Sequence, residues 1–518
     1  MTCPRKRFRC WNEMAVDDRI PDLRRKSISG LLWRSLERFG IQGTDLIVSI
    51  VLARLLGPEP YGLVALLAVF LSFSRILLDC GFGKSLIQRK TLADDDCSTV
   101  FVVNLVLGVV FYSLLFLAAP SIALFYGRSE LSLILRIAAL GLLFNAINDV
   151  QHSLLIRKMD FKLAFRVSLS QTIVKGALGI YLAFAGLGVW ALVWAPLAGH
   201  FVGTIILWRS VAWRPSLRFS FASFRSLFSY GWKLALSSLL GSLTGNLSSL
   251  LIGRMYTARE LAFYRKGQSF PNAFAGVVNG PVSSVSFTAL AKLQGDIDRF
   301  RSAIRKMLSS LAFLVAPAMG FLAGIAPTFI RVVLGDSWTP SIPFVQLACF
   351  SCAFGPLSIA NTQALTAYGR SGAALKLETV KKVIAVSVVL VVLPYGVMPF
   401  AIVAAFVATP LSTLLNVIPN RRILGYGFGR QFLDVAPSFV FAFCMFCLET
   451  LVWHSFSSWH PFPVFLIQSA IGLGLFLGVG ATFRPQGWLV VLELMKLLQK
   501  KVRSNLRRRF CGDGESCA

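Results

Sequence analysis

The residues of this sequence that could do chemistry are cations set in apolar surroundings. Arg34, Arg38 and Asp45 lie along one apolar stretch. At about 100° per helical residue they fall within about 40° of one another, with Glu37 at the edge of the stripe and Gln42 and Ser49 flanking it. A second stretch, 200 residues on, places Lys233, Ser237, Thr244 and Ser248 within about 60° of one another by the same spacing. Lys175 sits mid-stretch with no acidic residue within one turn. A charge at the centre of a membrane helix costs roughly 2.5–3.5 kcal/mol on insertion scales, so each needs a partner or water. Here the cations outnumber the acids beside them, which implies a water-filled cavity or an anionic ligand. Arg34, Arg38, Lys175 and Lys233 are therefore the expected substrate-binding residues. Asp45 either neutralises Arg38 or carries a coupling ion.

Other chemistries fit poorly. In DCGFGKS the residues Gly83, Lys84 and Ser85 imitate the end of a phosphate-binding loop, but the required first glycine would be position 78, which is Leu78. A connection between helices explains the segment better. The pairs Cys349/Cys352 and Cys444/Cys447 have C-x-x-C spacing, yet both lie in apolar runs without nearby His or further Cys, so they read as small core residues. The four histidines (152, 200, 454, 460) are scattered, and no hydrolase or metalloprotease signature occurs. Neither catalysis nor a metal or cofactor is expected. Arg75 with Asp79, and Glu378 with Lys382, are expected to be i,i+4 ion pairs or snorkelling side chains near helix ends. Two readings stay open for Arg254, Arg259, Arg265 and Lys266 in segment 253–267: a basic lip facing an anionic substrate, or a misplaced helix boundary.

The elements that must hold these residues follow from composition. Of the 518 residues 55% are hydrophobic and only 15% charged, with a mean hydropathy of +0.68; soluble domains carry roughly 25% charged residues. Fourteen spans of about 20 residues would use about 280, leaving loops and tails but no room for a further folded domain. Apolar stretches recur near 31–54, 61–79, 99–120, 131–154, 163–185 and 188–208, then near 228–252, 268–291, 307–331, 343–366, 375–394 and 399–418, with two more at 434–453 and 462–483. Pro271, Gly276, Gly280 and Pro281 predict a bent or broken eighth helix. With both termini placed in the cytoplasm, most of the 52 Lys and Arg fall on that side and few outside, as the positive-inside bias requires. The formal charge of +28 is thus a topology marker rather than a nucleic-acid footprint.

An offset of 200 aligns Thr44, Ser49 and Arg54 with Thr244, Ser249 and Arg254, as an internal repeat would. The expected fold is an all-α polytopic membrane protein of about 14 transmembrane helices, in two pseudo-symmetric six-helix lobes plus two C-terminal helices. Its expected parts are a basic tail at 1–29, an N-terminal lobe at 30–208, a basic linker at 209–227, a C-terminal lobe at 228–420, helices 13 and 14 at 434–483, and a basic tail at 484–518.

The segments SIVLARLLGPEPYGLVAL, DCGFGKSLIQRK, STVFVVNLVLG, LAAPSIALFYG, LLIRKMDFK, GLGVWALV, LLIGRMYT, LGDSWTP and LTAYGR together resemble the bacterial polysaccharide-unit flippases of the multidrug/oligosaccharidyl-lipid/polysaccharide exporter superfamily, particularly the colanic-acid exporter branch. The resemblance covers about 28–430. It implies a transporter of the inner membrane that moves undecaprenyl-pyrophosphate-linked oligosaccharide to the outer leaflet by alternating access. Its implied partners are that lipid-linked oligosaccharide, membrane lipids, and a polysaccharide polymerase with its chain-length machinery. Two alternatives are a multidrug or other small-molecule antiporter of the same superfamily, which would favour acidic cavities, and a membrane polymerase or ligase, which needs a large outside loop that this sequence lacks.

Overall fold

Helices this apolar must satisfy every backbone N–H and C=O internally once in lipid, and the computed structural model is helical throughout, with no strand among the described residues. Those residues are 40, 42–89, 91–216, 218–291 and 293–483. The tails, and with them Arg34, Glu37 and Arg38, lie outside them.

The chain opens with α1 (42–56), α2 (Pro58–Asp79), the short α3 (Phe82–Gln88), α4 (Asp94–Tyr126), α5 (Glu130–Ala138), α6 (Leu140–Arg157), α7 (Phe161–Phe184), α8 (Val189–Ser210) and α9 (Phe221–Met255). It continues with α10 (Ala258–Ala291), α11 (Ile297–Val333), α12 (Ile342–Ala353), α13 (Gly355–Ala367), α14 (Ser371–Val392), α15 (Val397–Val403), α16 (Thr409–Leu424), α17 (Phe428–Ser455) and α18 (Pro461–Phe483). Thirteen of the fourteen stretches read from the sequence coincide with these helices, singly or as consecutive pairs, and the described part of the first lies in α1. Among the described residues, eleven helical spans are long and apolar enough to cross a membrane. The three stretches outside that set are α1, the Ser- and Asn-rich α10, and α14, which carries Lys376, Glu378, Lys381 and Lys382.

Several expectations change. Segment 253–267 is not a loop: α9 runs to Met255 and α10 starts at Ala258, so Arg254 ends one helix and Arg259, Arg265 and Lys266 belong to the next. The eighth helix is continuous through Pro271, Gly276, Gly280 and Pro281. Breaks come elsewhere. Pro356 has no N–H to give to Cys352, and the tenth span divides at Phe354. In the twelfth span a π-turn at Ala404–Ala408 precedes Thr409, whose hydroxyl donates to the Ala404 carbonyl at 2.9 Å. Glu378 pairs with Lys381 rather than Lys382, and of the two paired side chains Lys381 is the more enclosed, at 14% exposure against 44% for Glu378.

The chain forms two compact units, Met1–Ala262 and Phe263–Ala518. The first has its core around Phe82, Phe101, Val150, Leu154 and Trp213, and α9 packs within it against α2, α3 and α4. The second is centred on Phe300, Leu308, Leu311, Ala360 and Val435. Small residues let the helices approach closely, as is usual where lipid removes the hydrophobic drive between them. A Cβ on Gly62 would lie 2.0 Å from the carbonyl oxygen of Ala258, a backbone atom that cannot yield. Gly62→Ala is therefore expected to destabilise the first unit by about 1–3 kcal/mol and to reduce monodisperse yield in size-exclusion chromatography. Gly241→Ala, where a Cβ meets nothing within 4 Å, should leave the yield unchanged.

Candidate functional site

The polar residues that meet one another in the first unit come from α1–α4 and α6–α9. Close packing sets the first pair. A Cβ on Gly176 would lie 2.6 Å from Val48 Cγ2, and one on Gly179 would lie 3.1 Å from Leu52 Cδ1, so α1 is drawn tightly onto α7. On the other side of α7, Gly199 of α8 leaves only 2.8 Å between a Cβ and the Gln171 carbonyl. This clamp fixes Lys175 opposite Asp45, with Nζ 2.6 Å from Oδ1. Lys175 thus has an acidic partner that sequence spacing did not show, 130 residues away. Both side chains remain more than a third exposed, at 36% and 40%.

Next to this pair along α8, the His200 ring stacks on Phe144 with centroids 6.5 Å apart. Asn148 donates to the Thr204 hydroxyl at 2.7 Å, tying α6 to α8.

A cavity of about 210 Å³ is lined by Arg75, Asp79, Lys84 and Asp149, with Leu234, Ala235 and Ser238 of α9 among the remaining residues. The elements explain the convergence. Cys80 (φ 41°) and Gly81 (φ 73°) turn the chain through left-handed conformations between α2 and α3. A Cβ at Gly81 would stand 2.4 Å from the Gly231 carbonyl oxygen, so only glycine allows α9 this close. The turn brings Lys84 round to face the end of α2. The DCGFGKS segment is therefore a helix–turn–helix connection. From α6, Asp149 reaches the same place because Gly108 lets α4 approach, its Cβ position lying 2.8 Å from Ala146 Cβ.

The charges in this cavity are unequally committed. Asp149 Oδ2 accepts from Asn104 Nδ2 at 2.9 Å, and Asp79 Oδ1 accepts from the Gly83 N–H at 3.3 Å. The two carboxylates converge on Gly83, where a Cβ would lie 3.3 Å from the one and 3.7 Å from the other. Arg75 and Lys84 are exposed, and neither makes an ion pair among the described residues, so the expected i,i+4 pair of Arg75 with Asp79 does not form. The Gly83 amide claims Asp79 instead. Two guanidinium or ammonium donors thus face open space beside carboxylates already hydrogen-bonded by the protein, a setting that can take an oxyanion.

The other expected site residues are placed as follows. Lys233 is exposed on α9, to one side of the face that Leu234, Ala235 and Ser238 turn to the cavity. The Arg254 guanidinium lies 5.2 Å above the Phe125 ring. Arg259 is exposed and Arg265 half-buried. Lys266 is buried, its Nζ 5.7 Å from the Phe270 ring centre and 5.9 Å from that of Trp338. The second unit has a cavity of about 130 Å³ whose polar lining is neutral, with Gln268, Asn272 and Ser351 among its residues.

Sequence reasoning missed Asn104 and Asp149, read Lys84 only as part of a connection between helices, and set Arg75 and Asp79 aside as an ion pair or snorkelling side chains. One signal was available: Asp149 is an acid inside the apolar stretch 131–154, and such residues are costly unless they serve a site.

Residues 51–343 match the model of a family described as polysaccharide biosynthesis protein. The chain is 24% identical over 424 residues to the teichuronic acid biosynthesis protein TuaB of Bacillus subtilis (strain 168), covering 79% of this chain and 84% of that one. It is 26% identical over 333 residues to the lipopolysaccharide biosynthesis protein WzxC of Escherichia coli (strain K12), covering 63% and 67%. The fold is similar to that of the lipid II flippase MurJ in an inward closed conformation, with a TM-score of 0.68 at 15% identity over 88% of this chain and 98% of that one. The all-helical, multi-pass membrane architecture agrees with that neighbour.

Proposed function

We infer the function of this chain from the family of polysaccharide biosynthesis proteins, to which it belongs: it is a membrane transporter, not an enzyme, that flips a lipid-linked oligosaccharide unit across the membrane. The relatives carry names from teichuronic acid and lipopolysaccharide biosynthesis, and the structural neighbour is a lipid II flippase. One observation carries the reading: within a membrane-embedded unit, Arg75 and Lys84 face a cavity in which both carboxylates are already engaged. A polyprenyl pyrophosphate is a multiply charged oxyanion, and charge-assisted hydrogen bonds from Arg and Lys suit it. Lys175, steadied by Asp45, adds a cation in the same unit, and Arg34, Arg38 and Lys233 extend the same role. Asp45 serves as counter-ion to Lys175. The sugar meets neutral amide and hydroxyl groups, and the polyprenyl tail stays in lipid. Transport proceeds by alternating access.

The repeat boundaries at 30–208 and 228–420, with 434–483 added, rest on the sequence offset that equates α1 with α9; by packing, α9 lies with the first unit. The excess of Lys and Arg on alternate connections supports an inner-membrane orientation with both termini in the cytoplasm. A polymerase and chain-length machinery would consume the flipped unit. The test is deletion of the gene in its host: lipid-linked repeat units should accumulate on the cytoplasmic side while surface polysaccharide disappears. Normal surface polysaccharide in the deletion strain would overturn the reading.

A further inference from the structure

In the second unit, Glu449 of α17 is fully buried at 0% exposure, and neither of its carboxyl oxygens has a hydrogen-bond partner among the described residues. Its place is built rather than accidental. Glycines face it from both neighbouring helices. A Cβ on Gly324 of α11 would lie 2.5 Å from Glu449 Cβ, and one on Gly472 of α18 would lie 3.1 Å from Oε1. The buried polar groups around it are occupied with each other. Gln468 donates to the backbone carbonyl of Glu449 at 2.7 Å and accepts from the Thr328 hydroxyl at 2.5 Å, so its amide does not serve the carboxyl group.

No charge on the packed helices compensates it. On α11, Arg331 lies over the Trp453 ring at 5.1 Å, while Arg299, Arg301, Arg305 and Lys306 belong to the opposite end of that helix. On α17, Asp434 holds Arg305, Arg430 is near the helix start, Cys444 and Cys447 are exposed, and the His454 ring bonds the Thr450 carbonyl. α18 contains no titratable residue. An ionised carboxylate without donors in such a place is strongly disfavoured. A metal cation would need several oxygen ligands, and Glu449 belongs to no group of three His, Cys, Asp or Glu side chains among the described residues. A proton needs none.

We propose that Glu449 is a proton-binding site at the packing of α11, α17 and α18, protonated in this state, and that transport releases and retakes this proton. The second half rests on the flippase reading; the first does not. Two measurements separate them. Infrared difference spectroscopy of the purified full-length protein at neutral pH should show a protonated carboxyl band that Glu449→Gln removes; absence of a Glu449-dependent band overturns the site. In proteoliposomes carrying a fluorescent polyprenyl-pyrophosphate disaccharide, a one-unit pH gradient should change the wild-type flipping rate by up to about tenfold, and Glu449→Gln should flip at one rate whatever the gradient. An equal response in both proteins, or a response to sodium alone, overturns the coupling. Flipping by neither protein counts against the flippase reading, and the infrared band still decides the site. Should Glu449→Gln fail to fold, Glu449→Leu is read in the same two assays.

Discussion

Neutralising both cavity cations, as Arg75→Gln with Lys84→Gln, is expected to reduce flipping of a pyrophosphate-linked substrate by about a hundredfold or more. A hydrogen bond to a charged group contributes about 1.5–3 kcal/mol, and each 1.4 kcal/mol is about a factor of ten, so the absence of two such bonds exceeds what the remaining cations could make up. The acids sharpen the prediction. With Asp79 held by the Gly83 amide and Asp149 by Asn104, removal of the cations leaves an acidic cavity that repels the substrate. Arg75→Lys should be milder than Arg75→Gln, because charge survives while the planar fork does not. Both cations are exposed, so thermal stability should stay near wild type. Flipping measured beside a melting curve checks this, and unchanged flipping would remove these residues from the site.

The second large effect concerns Lys175. Truncating one member of a buried pair costs about 3–5 kcal/mol, and exposed pairs contribute about 0.2–1 kcal/mol. With 36% and 40% of the side chains exposed, Lys175→Met should destabilise by about 1–2 kcal/mol, between those limits. Two functions of the residue are separable. Adding Asp45→Asn removes the stranded carboxylate and should restore stability. If Lys175 also meets the substrate, flipping by the double variant should stay about tenfold low, the effect of removing one charge-assisted hydrogen bond. A double-mutant cycle on both readouts decides the matter; full recovery of transport would make the pair purely structural.

Much of this architecture was legible because lipid imposes it. A stretch such as 99–120 had no option but a helix, and the structure extends it to Asp94–Tyr126. The division at Phe354 was also readable in principle from Pro356. The site was less legible, for two physical reasons. Spacing along one helix reveals neighbours on that helix only, so Lys175 looked uncompensated while Asp45 waited 130 residues away. Arg75 and Asp79 sit at a spacing that permits an ion pair, yet the turn at Cys80–Gly81 supplied a backbone amide that won Asp79. The acids deep inside apolar stretches, Asp149 and Glu449, carried the strongest unused signal, since burying them without purpose costs stability.

The most direct test of the central claim is reconstitution of the purified chain in vesicles whose lipid-linked oligosaccharide starts on both leaflets, followed by a membrane-impermeant glycosidase added outside. If the protein flips this substrate, the cleaved fraction should rise from the outer-leaflet share towards completion, and the double variant at Arg75 and Lys84 should stay near the protein-free level. A cleaved fraction that stays at the protein-free level with the wild-type chain would contradict the account.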